Sequence, residues 1–189
     1  MDLQREHPRW RCKYLIMNLL KNDHIRLRPV EINDLDFIYQ LENNTANWVY
    51  GNQSVPLSRF QIEQYIIGSK NDFFEDKQLR LIICDSSGDV CGMADLFDLD
   101  VQNRRAAIGI LITESYRNKG LAANALNMLL TYSDAILGLH QVFCSIDADN
   151  KASLRLFTEA GFVKAGELKA WRMVNRQWKD VVLLQKILE

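Results

Sequence analysis

The chain has 189 residues, a length typical of one domain with a substantial buried core. Its apolar fraction of 48% and charged fraction of 25% are ordinary for a globular protein, and a formal net charge of -1 excludes bulk attraction to nucleic acid or an anionic membrane. The four cysteines form no CxxC pair and no Cys/His cluster with zinc spacing, so we expect reduced structural thiols and no metal.

The start of the chain is interpreted as an N-terminal extension over residues 1–22, followed by a single domain over 23–189. The stretch RWRCKYLIMNLLKND joins basic residues to a short apolar run, but no small-residue cleavage site follows it. No apolar run approaches the roughly 18 residues of a membrane helix. We therefore expect a cytoplasmic protein. Met17 is an alternative start, which would make residues 1–16 an upstream addition.

The first elements are predicted from alternation and capping. Apolar and basic residues alternate over Ile25–Pro29, which predicts a strand. Asn33 is the predicted cap of a helix with an apolar face. That face carries Leu35, Ile38 and Leu41. A polar loop that contains Tyr50 follows over 43–56, and its aromatic residues either cover a ligand or pack onto the core.

The rest of the chain predicts strands first and then alternating elements. Ser58 and Gln61 fit a capping box for a helix that runs to about Lys70. The turns SSGD and DLDVQN separate three strands of a predicted antiparallel meander, Leu79–Cys84, Val90–Phe97 and Ala106–Ile112. The remaining elements are a helix over Gly120–Leu137, a strand over Val142–Asp147, a helix over Asn150–Ala160 and a hairpin of Phe162–Trp171 with Lys179–Ile187. This order predicts a mixed α/β domain.

The stretch YRNKGLAA, residues 116–123, lies between a predicted strand and a predicted helix. A helix N-terminus presents about four unpaired N–H groups with partial positive charge. Gly120 lets the chain approach a ligand closely, and Arg117 and Lys119 add positive charge. Together these features indicate a phosphate site. An ordinary solvated turn is the alternative, because the stretch fits neither the Walker loop nor G-x-G-x-x-G.

Two motifs carry a resemblance to a known family. RNKGLA resembles the Q/R-x-x-G-x-G/A signature of the GNAT superfamily of N-acetyltransferases, in which this loop holds the pyrophosphate of acetyl-CoA. Downstream, NKASLRLFTEAGF is similar to the second signature of that superfamily. The resemblance covers roughly residues 25–188 and implies the GNAT acyl-CoA N-acyltransferase fold, a mixed, mostly antiparallel sheet flanked by helices. The segment IRLRPVEINDLDFIYQLENN is most similar to the spermidine and ribosomal-protein N-terminal acetyltransferases.

The resemblance implies that acetyl-CoA is the co-substrate and that three groups of residues hold it. Main-chain groups would pair with the amides of pantetheine in Ile110, Leu111 and Ile112. The pyrophosphate would be held by Arg117, Asn118, Lys119, Gly120, Leu121 and Ala122. Asn150 would reach the pantetheine with Ser153 nearby, and a plain helix cap is the alternative role for Asn150.

The implied reaction is direct attack of a primary amine on the thioester, so an alkylamine with a pKa near 10.4 must first lose a proton. Two residues depart from the family pattern. Phe157 stands at the position of the usual tyrosine proton donor, and Ala107 stands where many relatives carry a glutamate. Asp95 is the first candidate for binding or deprotonating the amine, with a solvated surface aspartate as the alternative. Weaker candidates are Tyr50, Tyr132 and Asp147.

The acceptor is predicted to be a polyamine-like small molecule or a protein N-terminus. The loop WVYGNQSVPLSRF has no carboxylate where polyamine enzymes carry an acidic stretch. A cationic acceptor stays plausible because acids cluster at Asp95, Asp98 and Asp100, although such a cluster is also commonly just solvated. The alternative function is a catalytically weak or inactive acyl-CoA-binding or sensing protein, motivated by the two departures. We expect a homodimer with no nucleic-acid or membrane partner.

Overall fold

Seven strands of the described chain form one sheet, and apolar cores lie on both of its faces. The computed structural model describes residues 19–49, 55–70 and 72–188. The strands are β1 (Ile25–Pro29), β2 (Leu79–Asp85), β3 (Val90–Asp100), β4 (Arg105–Ile112), β5 (Gln141–Asp147), β6 (Val163–Val174) and β7 (Gln177–Ile187). The α-helices are α1 (Leu35–Glu42), α2 (Thr45–Trp48), α3 (Arg59–Gly68), α4 (Phe73–Asp76), α5 (Leu121–Ala135) and α6 (Lys151–Glu159). Two 3-10 turns occupy Ile32–Asp34 and Glu114–Tyr116.

The strand order in the sheet is β1-β2-β3-β4-β5-β7-β6. Every neighbouring pair is antiparallel except β4 and β5, which run parallel. A parallel pair needs a crossover connection, and α5 supplies it. The mixed, mostly antiparallel sheet flanked by helices that the sequence predicts is therefore confirmed.

The strands divide their side chains between two apolar cores, because successive residues of a strand point to opposite faces. On one face, α5 and α6 pack on the larger core, which contains Ile83, Leu126 and Leu129. On the other face, α1 and α3 cover a smaller core around Ile38 and Ile82. Adjacent residues of β2 thus enter different cores. The carboxylates described below project from the face of the smaller core.

The first helix begins later than predicted. Asn33 lies inside the 3-10 turn and α1 starts at Leu35, so the prediction of Asn33 as the helix cap was wrong. The carboxylate of Asp34 organises the turn instead. It accepts the N–H of Glu31 at 2.8 Å and two hydrogen bonds from Arg28, each at 2.7 Å. A buried carboxylate with a cationic partner fixes this turn more strongly than Asn33 could.

The predicted capping box of the next long helix is confirmed. Ser58 Oγ accepts the N–H of Gln61 at 3.2 Å, and Gln61 Oε1 accepts the N–H of Ser58 at 2.8 Å. The helix ends at Gly68 rather than near Lys70. β3 continues past its predicted end to Asp100, because Asp100 still pairs with Arg105 of β4.

Two short helices, α2 and α4, were missed by the sequence analysis. α2 lies inside the predicted polar loop over 43–56, and Asn44 caps it by accepting the N–H of Ala46 at 3.0 Å. Asp72 caps α4 through the N–H groups of Phe74 and Glu75. A helix of about one turn is too short to show apolar periodicity, so only its cap could have signalled it.

The residues that precede β1 contact the rest of the domain. Leu20 packs against the larger core, and its carbonyl accepts the N–H of Leu27 at 2.8 Å. The side chain of Asn22 donates to Asn124 of α5 at 2.9 Å. The domain boundary after residue 22 stays a prediction.

Three of the cysteines, Cys84, Cys91 and Cys144, are buried free thiols. Burial raises the pKa of Cys91 to about 11 and that of Cys144 to about 12, so both stay protonated at neutral pH. These thiols match the expected structural role, and Cys12 lies outside the described residues.

Candidate active site

The sheet opens between β4 and β5. Their parallel register covers Arg105–Ala107 against Gln141–Phe143. β4 then continues to Ile112 along β3, and β5 continues to Asp147 along β7, with no further register between β4 and β5 in the described chain. Main-chain groups on the facing edges are therefore available to a ligand that carries amides. The residues predicted to hold pantetheine, Ile110, Leu111 and Ile112, lie on this edge of β4.

The helix α5 follows β4 and begins without a side-chain cap. Its N-cap is Gly120, whose φ of 75° lies in the left-handed region. By contrast, side chains cap α2, α3, α4 and α6, from Asn44, Ser58, Asp72 and Asn150. A Cβ built on Gly120 would meet no atom within 4 Å, so the space in front of the helix is open. The N–H groups of the first turn can therefore face an anion.

The cationic side chains of the preceding loop have defined contacts. Arg117 Nε donates to the carbonyl of Ile112 at 3.1 Å. Lys119 Nζ lies 4.8 Å from the ring centroid of Tyr116. Asn118 has a φ of 61°, a left-handed conformation that asparagine tolerates better than most residues. These contacts keep two positive charges next to the uncapped end of α5.

Asn150 follows β5 on the other side of the opening and caps α6. Its Oδ1 accepts the N–H of Ser153 at 3.1 Å, so the predicted cap role is confirmed. Among the described residues, the side-chain NH₂ group of Asn150 has no hydrogen-bond partner. The predicted contact with pantetheine would use this group, and that contact stays a prediction.

Asp95 of β3 lies between Arg80 of β2 and Gly109 of β4, its direct cross-strand neighbours. Arg80 donates to both carboxylate oxygens, from Nε to Oδ1 at 2.8 Å and from Nη2 to Oδ2 at 3.3 Å. Nη1 of Arg80 also donates to Oε1 of Glu42 at 2.9 Å. Burial disfavours the charge on Arg80, but the neighbouring Asp95, Tyr65 and Glu42 raise its pKa above the ordinary value. One guanidinium thus holds two carboxylates.

Tyr65 of α3 lies beside this cluster. The guanidinium carbon of Arg80 is 5.5 Å from the Tyr65 ring centroid. Burial raises the pKa of Tyr65, so its hydroxyl stays protonated at neutral pH and can donate a hydrogen bond. The sequence analysis missed Tyr65, Arg80 and Glu42. The available signal was Arg80, which is the charged residue in the otherwise apolar predicted strand LRLIIC.

Small residues lie next to Asp95 on the same face of the sheet. Gly109 is directly opposite it, and Ala107 is two positions earlier in β4. Ala107 is buried, and its cross-strand neighbour Phe97 is 38% exposed. This face of β4 therefore carries no carboxylate of its own, and the acid next to it comes from β3.

Asp147 ends β5 on the far side of the opening. It is 8% exposed and forms an ion pair with Arg172 of β6. The same nitrogen of Arg172, Nη2, donates to the carbonyl of Val49 at 2.6 Å. Asp147 was a weaker acid candidate, and the structure places it in a buried ion pair that holds another part of the chain.

Phe157 and Tyr132, two further positions considered for proton transfer, lie on the helices α6 and α5. Phe157 is buried in the larger core, and its ring meets that of Phe162 edge-on with centroids 5.0 Å apart. Tyr50 lies outside the described residues. An apolar ring has no proton to give, and the correspondence of Phe157 to the usual donor position stays a prediction.

Residues 19–49, 55–70 and 72–188 contain no group of three or more His, Cys, Asp or Glu side chains able to hold a metal. Over the same ranges, no helix is both long and apolar enough to cross a membrane. The longest, α5, has 15 residues.

Few ligands need both a row of main-chain amide partners and an anion site at the next helix. Pantetheine joined to a pyrophosphate, as in CoA, needs both, so the geometry fits a protein that binds an acyl-CoA. Residues 24–163 match the family model of the acetyltransferase (GNAT) domain, and the chain belongs to this family. The resemblance carried by its two motifs is confirmed.

Known relatives agree with this assignment. The chain is 27% identical over 158 residues to spermidine N(1)-acetyltransferase of Escherichia coli strain K12. The match covers 84% of this chain and 83% of the relative. It is 27% identical over 165 residues to a putative ribosomal N-acetyltransferase of Bacillus subtilis strain 168, with coverages of 85% and 90%. The crystal structure of spermidine N-acetyltransferase from Vibrio cholerae with CoA and spermine has a TM-score of 0.81 and 27% identity, and the match covers 88% of this chain and 97% of that chain. The Vibrio cholerae enzyme has also been solved as a dodecamer.

These findings establish an acetyl-CoA-dependent N-acetyltransferase that transfers acetyl to an amine, with acetyl-CoA as its co-substrate. The expected branch, near the spermidine and ribosomal acetyltransferases, is also confirmed. The alternative of an acyl-CoA-binding protein without turnover finds no support in these relatives, which are all named as acetyltransferases.

Proposed function

We propose that this enzyme acetylates a polyamine-like aliphatic amine, which binds on the sheet face that carries Asp95. The observation that carries the proposal is the arrangement of Asp95 and Glu42 around the single guanidinium of Arg80. Two negative charges against one positive charge leave this cluster attractive to a cation. The side chains of Asp95 and Glu42 are 20% and 21% exposed, so an ammonium group can reach them.

The charge cluster suits an ammonium group on energetic grounds. Two opposite unit charges about 4 Å apart near a protein surface attract by about 4 kcal/mol. Each carboxylate oxygen that accepts from Arg80 keeps a further lone pair, so Asp95 and Glu42 can accept from an ammonium group without releasing the arginine. The relatives named as spermidine acetyltransferases support the same acceptor class.

Acetyl-CoA would lie along the opening between β4 and β5. Main-chain groups of Ile110, Leu111 and Ile112 would bind pantetheine, with the side chain of Asn150 on the opposite wall and Ser153 nearby. The pyrophosphate would be held at the uncapped start of α5 by Arg117, Asn118, Lys119, Gly120, Leu121 and Ala122. The support is the free edge of β4 and the open space in front of Gly120.

Starting from the ammonium form of the amine, the nitrogen loses two protons and the departing sulfur gains one, so one proton is released overall. Asp95 would hold the ammonium group near the thioester, and a water molecule would take its proton. The neutral nitrogen then attacks the carbonyl carbon and forms the C–N bond. The nitrogen loses its second proton to water, the C–S bond breaks and CoA leaves as a thiolate. A thiol pKa near 8.5 makes the thiolate a tolerable leaving group, so water can reprotonate it without a tyrosine at position 157. Loss of a general acid costs about 10²–10⁴-fold, and we expect correspondingly slow turnover.

A protein N-terminus is the second candidate acceptor. The loop WVYGNQSVPLSRF contains no carboxylate, and one relative is named a putative ribosomal N-acetyltransferase. An α-amino group has a pKa of about 7.7–8.0, well below the value of about 10.4 for an alkylamine. It therefore needs less help with deprotonation, which favours it in a site without a strong general base.

We also infer a cytoplasmic protein that forms a homodimer. The buried free thiols support a reducing compartment, and the dodecamer of the Vibrio cholerae relative supports self-association in this family. Light scattering coupled to size-exclusion chromatography tests the oligomeric state. A mass of one chain at micromolar concentration would contradict the dimer.

Chromatographic detection of free CoA tests the acceptor class. The protein is incubated with acetyl-CoA and a panel of spermidine, diamines, amino sugars and short peptides. Fastest CoA release with spermidine or a diamine supports the proposal, and fastest release with peptides favours the N-terminal acceptor. A rise in melting temperature with acetyl-CoA but no CoA release with any amine would contradict both acceptors.

A further inference from the structure

The segment over residues 42–49 is tied to the sheet at both of its ends by arginines. We call it the bridging segment; it contains the end of α1 and all of α2. At its start, Glu42 accepts a hydrogen bond from Arg80 at 2.9 Å. At its end, the carbonyl of Val49 accepts one from Arg172 at 2.6 Å. These arginines belong to β2 and β6, which are far apart in the sheet order.

The two arginines are themselves held by aspartates on opposite sides of the opening. Arg80 binds Asp95 of β3, and Arg172 binds Asp147 of β5. β4 lies between β3 and β5 in the sheet. A segment with one end tied to β3 and the other to β5 has to pass over β4.

The register places both aspartates on the same face of the sheet. Asp95 pairs with Gly109, and Ala107 pairs with Phe143 of β5. Because side chains alternate along a strand, Asp147 shares the face of Phe143, and Gly109 that of Ala107. The bridging segment therefore crosses β4 on the face where the small residues lie.

Hydrogen bonds within the bridging segment, and one to Leu41 just before it, hold the segment together. Trp48 Nε1 donates to the carbonyl of Glu42 at 2.6 Å, and Asn47 Nδ2 donates to the carbonyl of Leu41 at 3.2 Å. Asn44 caps α2. The start of the segment is also held by Asn43, whose side chain exchanges hydrogen bonds with the backbone of Leu57 at 2.9 and 3.0 Å. Its far end at Val49 is held by Arg172, so that tie sets the height of this end above β4.

We propose that Arg172 is a positioning residue for the acceptor amine, which acts by fixing the bridging segment above β4. The inference rests on the proposed placement of the thioester along β4 and does not depend on which amine is the acceptor. The amine has to meet the thioester between β4 and the bridging segment. A displacement of the bridging segment by about 1 Å can cost as much as 100-fold in rate, because the attacking nitrogen loses its alignment with the thioester.

The tie at Arg172 is suited to this role. Asp147 is buried and the side chain of Arg172 is 20% exposed, so water competes weakly for either partner. One nitrogen, Nη2, bonds both the carboxylate and the carbonyl of Val49. A charged donor makes stronger hydrogen bonds than a neutral one, and the shared nitrogen of Arg172 fixes the distance between Asp147 of β5 and Val49 of the bridging segment.

The test compares four variants with the unaltered protein. Arg172→Ala removes both bonds and leaves Asp147 buried without its partner, which risks the fold. Arg172→Ala combined with Asp147→Asn removes the buried charge as well and isolates the loss of the tie to Val49. Arg172→Lys keeps a cation with a different reach. Arg176→Gly is the matched control, because Arg176 is an exposed arginine of the same hairpin with a φ of 62°, which glycine adopts freely.

Two readouts are used. Steady-state kinetics gives kcat and KM for whichever amine the unaltered protein acetylates fastest, together with KM for acetyl-CoA, so an error in the proposed acceptor class does not affect the test. Hydrogen exchange reports the opening of residues 42–49 without any need for turnover, so the tie is measured even if catalysis is slow.

We expect both Arg172→Ala variants to lower kcat/KM for the amine at least about tenfold and to leave KM for acetyl-CoA within about twofold. Exchange in residues 42–49 should accelerate while exchange in α5 does not. Arg172→Lys should restore part of the loss, and Arg176→Gly should match the unaltered protein. Unchanged exchange in residues 42–49, an unchanged kcat/KM for the amine, or a rise in KM for acetyl-CoA of the same size as the loss for the amine would each overturn the proposal.

Discussion

Asp95 of β3 stands directly opposite Gly109 of β4, so its carboxylate lies next to a position that has no side chain. Asp95 is also the direct neighbour of Arg80 on its other side. The side of Asp95 away from Arg80 carries no facing side chain, and an ammonium group can approach there beside the Phe97 ring, which lies 3.5 Å from where a Cβ on Gly109 would stand. Asp95 is therefore the residue on which the proposed acceptor site is centred.

Gly120→Trp should abolish binding of acetyl-CoA and with it activity. The left-handed φ of 75° is unfavourable for any residue with a Cβ, and the indole would fill the space in front of α5. Isothermal titration with acetyl-CoA measures the loss, and the circular dichroism spectrum checks the fold. A variant that keeps full affinity and full activity would rule out the phosphate site at this helix.

Gly92→Ala should weaken acetyl-CoA through the backbone of β4. A Cβ on Gly92 would lie 2.2 Å from the carbonyl oxygen of Leu111, so β4 has to shift at the residues proposed to bind pantetheine. We expect a rise in KM for acetyl-CoA of about tenfold and a loss of stability of about 1–3 kcal/mol. Gly68→Ala is the control, because a Cβ there meets no atom within 4 Å. Equal KM values for acetyl-CoA in the two variants would contradict the binding of pantetheine along β4.

Phe157→Tyr should increase kcat if the missing proton donor limits the reaction. General acid help is worth about 10²–10⁴-fold, and we expect a gain of at least about tenfold with little change in KM for acetyl-CoA. Phe162→Tyr adds the same hydroxyl to the ring that packs against Phe157 and should give no gain. The absence of a gain in Phe157→Tyr would mean that water or another group already protonates the thiolate.

Asp34→Asn should destabilise the protein in a pH-dependent way. Burial opposes the charge on Asp34, but hydrogen bonds from Arg28 and Glu31 outweigh it and lower the pKa of Asp34 below its ordinary value. The stabilisation is therefore complete above the unfolded pKa of about 3.9 and is lost as the pH falls through the lower folded pKa. At pH 7 we expect a loss of about 1–3 kcal/mol.

Melting temperatures between pH 7 and pH 3 check this prediction. The advantage of the unaltered protein over Asp34→Asn should shrink below about pH 4. Asp36→Asn serves as the control, because Asp36 and its partner Arg59 are both largely exposed, and its effect should be small at every pH. A constant difference between the unaltered protein and Asp34→Asn across the range would contradict the assignment.

The strands and helices of this protein are predicted from the sequence more completely than the residues of its acceptor site. Strand alternation, the Ser58 capping box and the Asn150 cap are local patterns, and the structure confirms each of them. Asp95 could be placed on a strand, but its partner Arg80 depends on the register of β2 against β3. Register is set by packing across the whole sheet, which a single sequence does not display.

The contacts of the bridging segment could not be predicted from the sequence, for a related reason. Arg172 and Val49 are separated by 123 residues in the sequence. The strand β6, which carries Arg172, is joined to β5 through β7, the last strand of the chain. The helix α2 is a single turn with no apolar period. Contacts between distant segments of this kind follow from the folded topology and leave no local signal in the sequence.

The most direct test of the central claim compares kcat/KM for spermidine and for propylamine in the unaltered protein and in Asp95→Asn. Asp134→Asn is the matched control, because Asp134 is an exposed aspartate on α5. If Asp95 binds the acceptor, Asp95→Asn should lower kcat/KM for spermidine at least about tenfold, equivalent to about 1.4 kcal/mol, and reduce the preference for spermidine over propylamine. KM for acetyl-CoA and the behaviour of Asp134→Asn should stay unchanged. An Asp95→Asn variant that keeps both kcat/KM and the preference for spermidine would contradict the account.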